Sequence, residues 1–109
     1  RWKIVFGHHP IYTFGPHSGE YWGPNKEILR STLERNGVSF YLSGHDHSLQ
    51  CVQPKEENVT HVVTGAGSKV SRIVNDFKDM HKALKYAKSI HGFSTMSLSE
   101  ERAVMRFVS

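Results

Sequence analysis

Apolar and polar positions divide the chain into short blocks, and two of the blocks end alike. Trp2-Lys-Ile-Val-Phe6 reads as a strand that runs into Gly7-His8-His9-Pro10. Val38-Ser-Phe-Tyr-Leu42 reads as a short buried strand that runs into Ser43-Gly44-His45-Asp46-His47-Ser48. Between them, Pro24 suits the first turn of a helix and Gly37 its C-terminal cap. Ile28, Leu29 and Leu33 form an apolar stripe there, so Asn25–Asn36 is an amphipathic helix. Strand, loop, helix and strand then make a βαβ crossover from Ile4 to Leu42, which predicts parallel pairing in one sheet.

Downstream, Leu49–Gln53 and Thr60–Thr64 read as strands joined by the polar turn Pro54–Asn58. Val62-Val-Thr-Gly-Ala-Gly67 ends in a glycine pair, where backbone can approach a neighbour closely. It is not a phosphate-binding P-loop, because no Gly-Lys-Ser/Thr follows. Phe77, Met80, Leu84 and Ala87 recur at helical spacing after Asn75 and Asp76, which predicts a helix over Asp76–Lys88. Ser94–Ser99 and Ala103–Val108 are expected to pair as an antiparallel hairpin around the charged turn Glu100–Arg102.

The length of 109 residues admits one domain at most. Hydrophobic and charged fractions of 38% and 22% are those of an ordinary globular chain, and no apolar run reaches the length of a membrane-spanning helix. The chain enters its first strand directly after Arg1, so a fragment or a processed chain is expected. A net charge of +4 leans only slightly toward anionic partners. Much of that excess lies in Lys69–Lys88, as a solvated face or as a docking surface for an acidic partner. Neither nucleic acid nor a membrane is an expected partner. The single cysteine, Cys51, is a buried free thiol or the mate of a cysteine outside the chain.

The two Gly-His strand ends are what carry chemistry. Histidines at i and i+2 of an extended segment share a side, so His45 and His47 can reach one metal or two neighbouring ones. Ions of a two-metal hydrolytic site lie roughly 3.5–4 Å apart. Imidazole suits zinc, iron, nickel and copper better than magnesium or calcium. An isolated His-x-His is more often a polar turn. A second histidine element at the end of an adjacent strand reverses that weighting, since ligands of open α/β sheets gather beyond strand carboxyl ends. The long loop from His9 to Gly23 carries Tyr12, Phe14, His17, Tyr21 and Trp22, as a pocket wall or as anchors to the core. His61 reads as a structural or exposed histidine and not as a ligand. Asn58-Val59-Thr60 is an N-glycosylation sequon in an exposed turn.

Val5-Phe6-Gly7-His8 and Gly44-His45-Asp46-His47, in this order across a βαβ unit, resemble the last two metal motifs of the calcineurin-like metallophosphoesterases. The sequence is most similar to the small purple, or tartrate-resistant, acid phosphatases. The likeness runs through Gly44-His-Asp-His-Ser-Leu-Gln50, Gly65-Ala-Gly67 and the closing hairpin, leaving Lys69–Ile90 unmatched. It implies an α/β fold, the C-terminal half of a four-layer αββα sandwich, with residues 1–109 as that half. It also implies hydrolysis of phosphate monoesters at acidic pH. His8 and His45 would hold a divalent metal (iron, zinc or manganese), His47 a ferric ion, and His17 would bind substrate and protonate the leaving group. Asp46 occupies the motif's variable position and would orient the turn. Another calcineurin-like phosphodiesterase, or a non-catalytic partner-binding module on the same scaffold, are the alternatives. The family's Asp-x-Gly, Gly-Asp-x-x-Tyr and Gly-Asn-His motifs are absent from the chain, so an N-terminal half is the expected partner, with a phosphate ester as substrate. No cysteine lies between His17 and Asn36 to match the one these enzymes carry there. The resemblance and the sequon at Asn58 together imply a secreted or lysosomal protein.

Overall fold

The computed structural model describes residues 1–74 and 82–109. Its elements are β1 (Ile4–Phe6), α1 (Asn25–Arg35), β2 (Phe40–Ser43), β3 (Leu49–Val52), β4 (Thr60–Thr64), β5 (Leu84–Lys88), β6 (Phe93–Leu98) and β7 (Ala103–Val108). The first five strands form one mixed sheet in the order β1-β2-β4-β3-β5, and β6 and β7 form a separate two-stranded sheet. β1, β2 and β4 run parallel, with Val5 beside Tyr41 and Tyr41 beside His61. β3 runs against both β4 and β5. The crossover from β1 through α1 to β2 is thus the parallel unit that the apolar pattern implies.

Side chains alternate across a strand, so the register assigns each face. Val5, Tyr41, His61 and Val52 share the face covered by α1 and the long loop. There Leu33, Ile11, Val38, Tyr41 and Val59 form the main core, with Leu29, Tyr12 and Trp22 packed against it. Phe14, Val52 and Ala83 make a second cluster beside it. The opposite face carries Leu42, Val62, Cys51 and Tyr86. The hairpin sheet covers it near β5, where the Phe107 ring stacks on Tyr86 at 4.5 Å and Ser94 Oγ donates to Thr64 Oγ1. Helix, sheet and sheet follow one another as layers, a mixed α/β arrangement consistent with part of a metallophosphoesterase domain. Near the start of β1 the hairpin turn also reaches this sheet, where Trp2 Nε1 donates to Ser99 O at 2.6 Å, while Phe6 at the end of β1 is 79% exposed.

Two expectations are corrected. The helix over Asp76–Lys88 fails at its C-terminal end, because Leu84–Lys88 is strand β5, hydrogen-bonded to β3. Its earlier part, with His81, lies outside the described residues. Leu84 and Tyr86 also fit a two-residue period, and the unpaired edge of β3 decides between the two readings. In α1 the stripe narrows: Leu33 is buried and Leu29 partly so, while Ile28 is 57% exposed. Cys51 is a free, half-buried thiol whose pKa burial pushes up.

Candidate metal centre

Both Gly-His elements sit at the carboxyl ends of parallel neighbours, and backbone hydrogen bonds carry the pairing past the strands. Gly7 N donates to Leu42 O at 2.9 Å and Gly44 N to His8 O at 3.0 Å. That continuation sets His8 and His45 side by side. Tyr41 closes over the first turn: its hydroxyl donates to His9 O at 2.8 Å, and a Cβ on Gly7 would stand 2.6 Å from that oxygen. The second turn is tighter. His45 adopts φ 65°, the left-handed region that L-residues avoid, and Asp46 N reaches back to Gly44 O at 2.7 Å.

Asp46 holds this turn from within. It is fully buried, and its carboxylate accepts from the Thr13 hydroxyl at 2.5 Å and from His17 N–H at 3.1 Å. Gly15 has no room for a Cβ against that carboxylate, nor Gly65 against the Asp46 carbonyl. Gln50, also fully buried, extends the network: its Oε1 accepts from Phe14 N, and its Nε2 donates to Thr13 and to Ser48. Every polar group here is paired, so the network fastens loop 10–17 to the histidine turn without leaving buried donors orphaned. This is the orienting role expected of Asp46, and the close approach expected at the Gly65 segment.

His8 Nε2 lies 3.1 Å from His45 Nδ1. On the other side of the same ring, His45 Nε2 lies 3.1 Å from Glu20 Oε2, and His17 Nδ1 lies 2.8 Å from that oxygen. The His17 and His45 rings lie close, with centroids 3.8 Å apart and planes tilted by 32°. Two groups capable of holding a cation result, His8–His9–His45 and His17–Glu20–His45, with donor atoms within 4.8 Å of one another in each. Hydrogen bonding from His45, and then from His17, holds the Glu20 carboxyl below the usual range.

Of the four histidines expected at the site, the structure therefore brings His8, His17 and His45 together. His47 contributes to neither group; the segment turns at Asp46 instead of extending, and His47 is tied through its backbone to Ser71, with N–H to Oγ at 3.0 Å. Glu20 and His9 are the members that sequence reasoning passed over. His9 directly follows His8, and Glu20 falls three residues after His17, a His-x-x-Glu spacing that was the available signal. His61 is the buried exception, 2% exposed with neither ring nitrogen hydrogen-bonded. Burial lowers its pKa from 6.5 to about 4. Against the site, a cleft of about 440 Å³ is lined by Tyr12, Tyr21 and Trp22 and shares Glu20 with it. The loop aromatics divide accordingly, Phe14 anchoring to the core and Tyr21 and Trp22 walling the cleft.

Converging imidazoles fit zinc, iron or a similar borderline cation, and one carboxylate joins two of the rings at this site. The donors therefore suit a single divalent ion. A second, trivalent ion would need oxygen ligands from elsewhere.

Residues 1–49, which include His8, His9, His17, His45 and His47, match the model of the calcineurin-like phosphoesterase family. The chain is a relative of that class of phosphoesterase. Within the class, its homologues are purple and tartrate-resistant acid phosphatases. It is 36% identical to purple acid phosphatase 17 of Arabidopsis thaliana over 98% of this chain and 31% of that protein. It is 30% identical to mouse tartrate-resistant acid phosphatase type 5 over 96% of this chain and 33% of that protein. The chain thus spans about a third of the length of the curated relatives it matches. Among solved structures, one titled "GAP50 the anchor in the inner membrane complex of Plasmodium" superposes with a TM-score of 0.83 at 27% identity, covering 99% of this chain and 32% of that one. A purple acid phosphatase from yellow lupin seeds shares the fold, with a TM-score of 0.78 at 15% identity over 97% of this chain and 22% of its own.

Proposed function

We propose that this chain is the C-terminal half of an acid phosphatase domain, which hydrolyses phosphate monoesters at acidic pH once an N-terminal half completes it. The observation that carries the reading is the 3.1 Å convergence of His8 Nε2 and His45 Nδ1 from two adjacent strand ends. These two imidazoles would hold a divalent metal, and His47 a ferric ion together with carboxylate, phenolate and amide oxygens from the missing half. When bound, such a pair supplies Lewis acidity at the phosphate and a water of much lowered pKa. His17 stands over His45 with its Nδ1 engaged by Glu20, leaving Nε2 to bind the phosphate and to protonate the departing alkoxide. The proton donor must be charged to act, and an acidic optimum follows from that requirement. The outer edge of β1, the end strand of its sheet, and the exposed Phe6 are where the N-terminal half would pair. Asn58 is exposed on its turn, which suits glycosylation and a secreted or lysosomal location.

The test joins this chain to the segment that precedes it and measures phosphomonoesterase activity and metal content. Activity with about two metals per domain is the expected result. His17→Ala should slow alkyl phosphates more than aryl phosphates with good leaving groups, and an equal loss on both would overturn the proton-donor role. One observation favours a second reading, a non-catalytic binding module: the fold and 27% identity shared with the Plasmodium protein titled an anchor. A completed domain that isolates without metal and without activity would establish that reading. The lysine-rich helix first expected to serve such a partner is not available in Leu84–Lys88, which is a strand.

A further inference from the structure

The Glu20 carboxylate is the unassigned charge in this centre, and its position constrains the protons around it. An ionised carboxylate only accepts hydrogen bonds. Its Oε2 is met by two ring nitrogens, His45 Nε2 at 3.1 Å and His17 Nδ1 at 2.8 Å. Both must therefore carry hydrogen. A neutral imidazole has one N–H, so with Nε2 protonated the His45 lone pair lies on Nδ1. That is the nitrogen facing His8 Nε2. The same logic for His17 places its lone pair on Nε2, away from Glu20. The oxygen is 36% exposed at the side-chain level and reaches the rings from a loop, not from either histidine-bearing strand.

We propose that Glu20 is the positioning residue of this centre: one carboxylate oxygen fixes the tautomer of His45, presents its Nδ1 to a metal shared with His8, and aligns the ring of His17 over it. This rests on the phosphoesterase reading for the metal, but the tautomer assignment does not. Metal-ligating histidines commonly donate their second N–H to a carboxylate, and removing that partner weakens metal affinity ten- to a hundredfold. The alternative geometry, in which Glu20 itself ligates through the His17–Glu20–His45 group, would take His45 Nε2 as a ligand and turn Nδ1 into a donor toward His8. The two arrangements place the His45 proton on opposite nitrogens.

The experiment uses the 109-residue chain, selectively 15N-labelled at histidine, at a pH where the rings are neutral. Imidazole nitrogen shifts report the tautomer, and zinc titration by calorimetry reports affinity. In the unsubstituted chain, His45 should be the Nε2–H tautomer before zinc is added, and zinc should shift Nδ1. Glu20→Ala should mix the two tautomers and weaken zinc binding ten- to a hundredfold at unchanged stoichiometry. Glu20→Gln, whose amide oxygen still accepts, should restore much of the tautomer preference. Glu20→Ala with the tautomer unchanged would overturn the proposal. So would its abolishing zinc binding while His8→Ala leaves it intact, which would make Glu20 a ligand. Absence of zinc binding by the unsubstituted chain, with the tautomer response present, would overturn the metal-presenting part of the proposal and leave the tautomer role standing. The phosphoesterase reading fails only if the domain completed by its N-terminal half also isolates without metal and without activity.

Discussion

His45 follows the end of β2 and His61 sits in the neighbouring strand β4, and their surroundings could hardly differ more. His45 stands beyond the end of β2 in a strained backbone conformation, with partners at both ring nitrogens. His61 sits inside β4, between the rings of Tyr12 and Tyr41 at centroid distances of 4.7 and 6.0 Å, with no partner at either nitrogen. The strand tip surrounds imidazole with donors and acceptors that it can exchange for a cation. The interior surrounds it with ring edges that favour only its neutral form. Residue type is identical; what differs is whether solvent and charge can reach the ring.

The tip depends most on Asp46, and Asp46→Ala is the largest expected effect. It leaves the Thr13 hydroxyl and His17 N–H without their charged acceptor, a loss of about 4 kcal/mol in urea denaturation. Loop 10–17 should become exchange-labile in the same variant, and a variant that keeps its protection would show that Gln50 and the packing of Phe14 suffice to hold the loop.

The interior histidine makes stability pH-dependent in a definite direction. Its folded pKa of about 4 lies below the ordinary 6.5, so the unfolded chain takes up the proton first. The stability this histidine confers is complete above pH 6.5 and declines as pH falls through 4, by about 3 kcal/mol in total. His61→Phe should flatten the urea midpoint over that range, and an unchanged slope would mean that other groups dominate acid unfolding. If the acidic optimum proposed above holds, activity and the stability of this strand pull in opposite directions below pH 6.

The smallest effect sharpens the contrast. His45→Gly relieves the left-handed backbone and should raise stability by about 1 kcal/mol, while removing the Nδ1 that faces His8. A destabilised His45→Gly chain would mean that the bonds to His8 and Glu20 outweigh the strain.

Much of this was legible in the residues. Apolar runs closed by Gly-His place His8 and His45 at strand ends, and an amphipathic helix between them requires parallel neighbours, so their proximity follows from connectivity. The hairpin around Glu100–Arg102 is legible for the same kind of reason, since alternation and a charged turn are local. Leu84–Lys88 was not, because its apolar spacing satisfies both periods and only the free edge of β3 selects the strand. Ile28 belongs to the helical stripe by spacing, yet it stays 57% exposed among the described residues.

The sequence by itself determined the strand ends, the crossover and the histidines they present, because hydrophobic period and glycine placement act over a few residues. Only the tertiary structure decided that Glu20 joins His17 to His45, that His9 lies beside His8 and His45, and that His61 is sealed from water. Those outcomes depend on how an irregular loop folds back over the sheet, where hydrogen bonds between distant residues set the path and no periodic pattern records it.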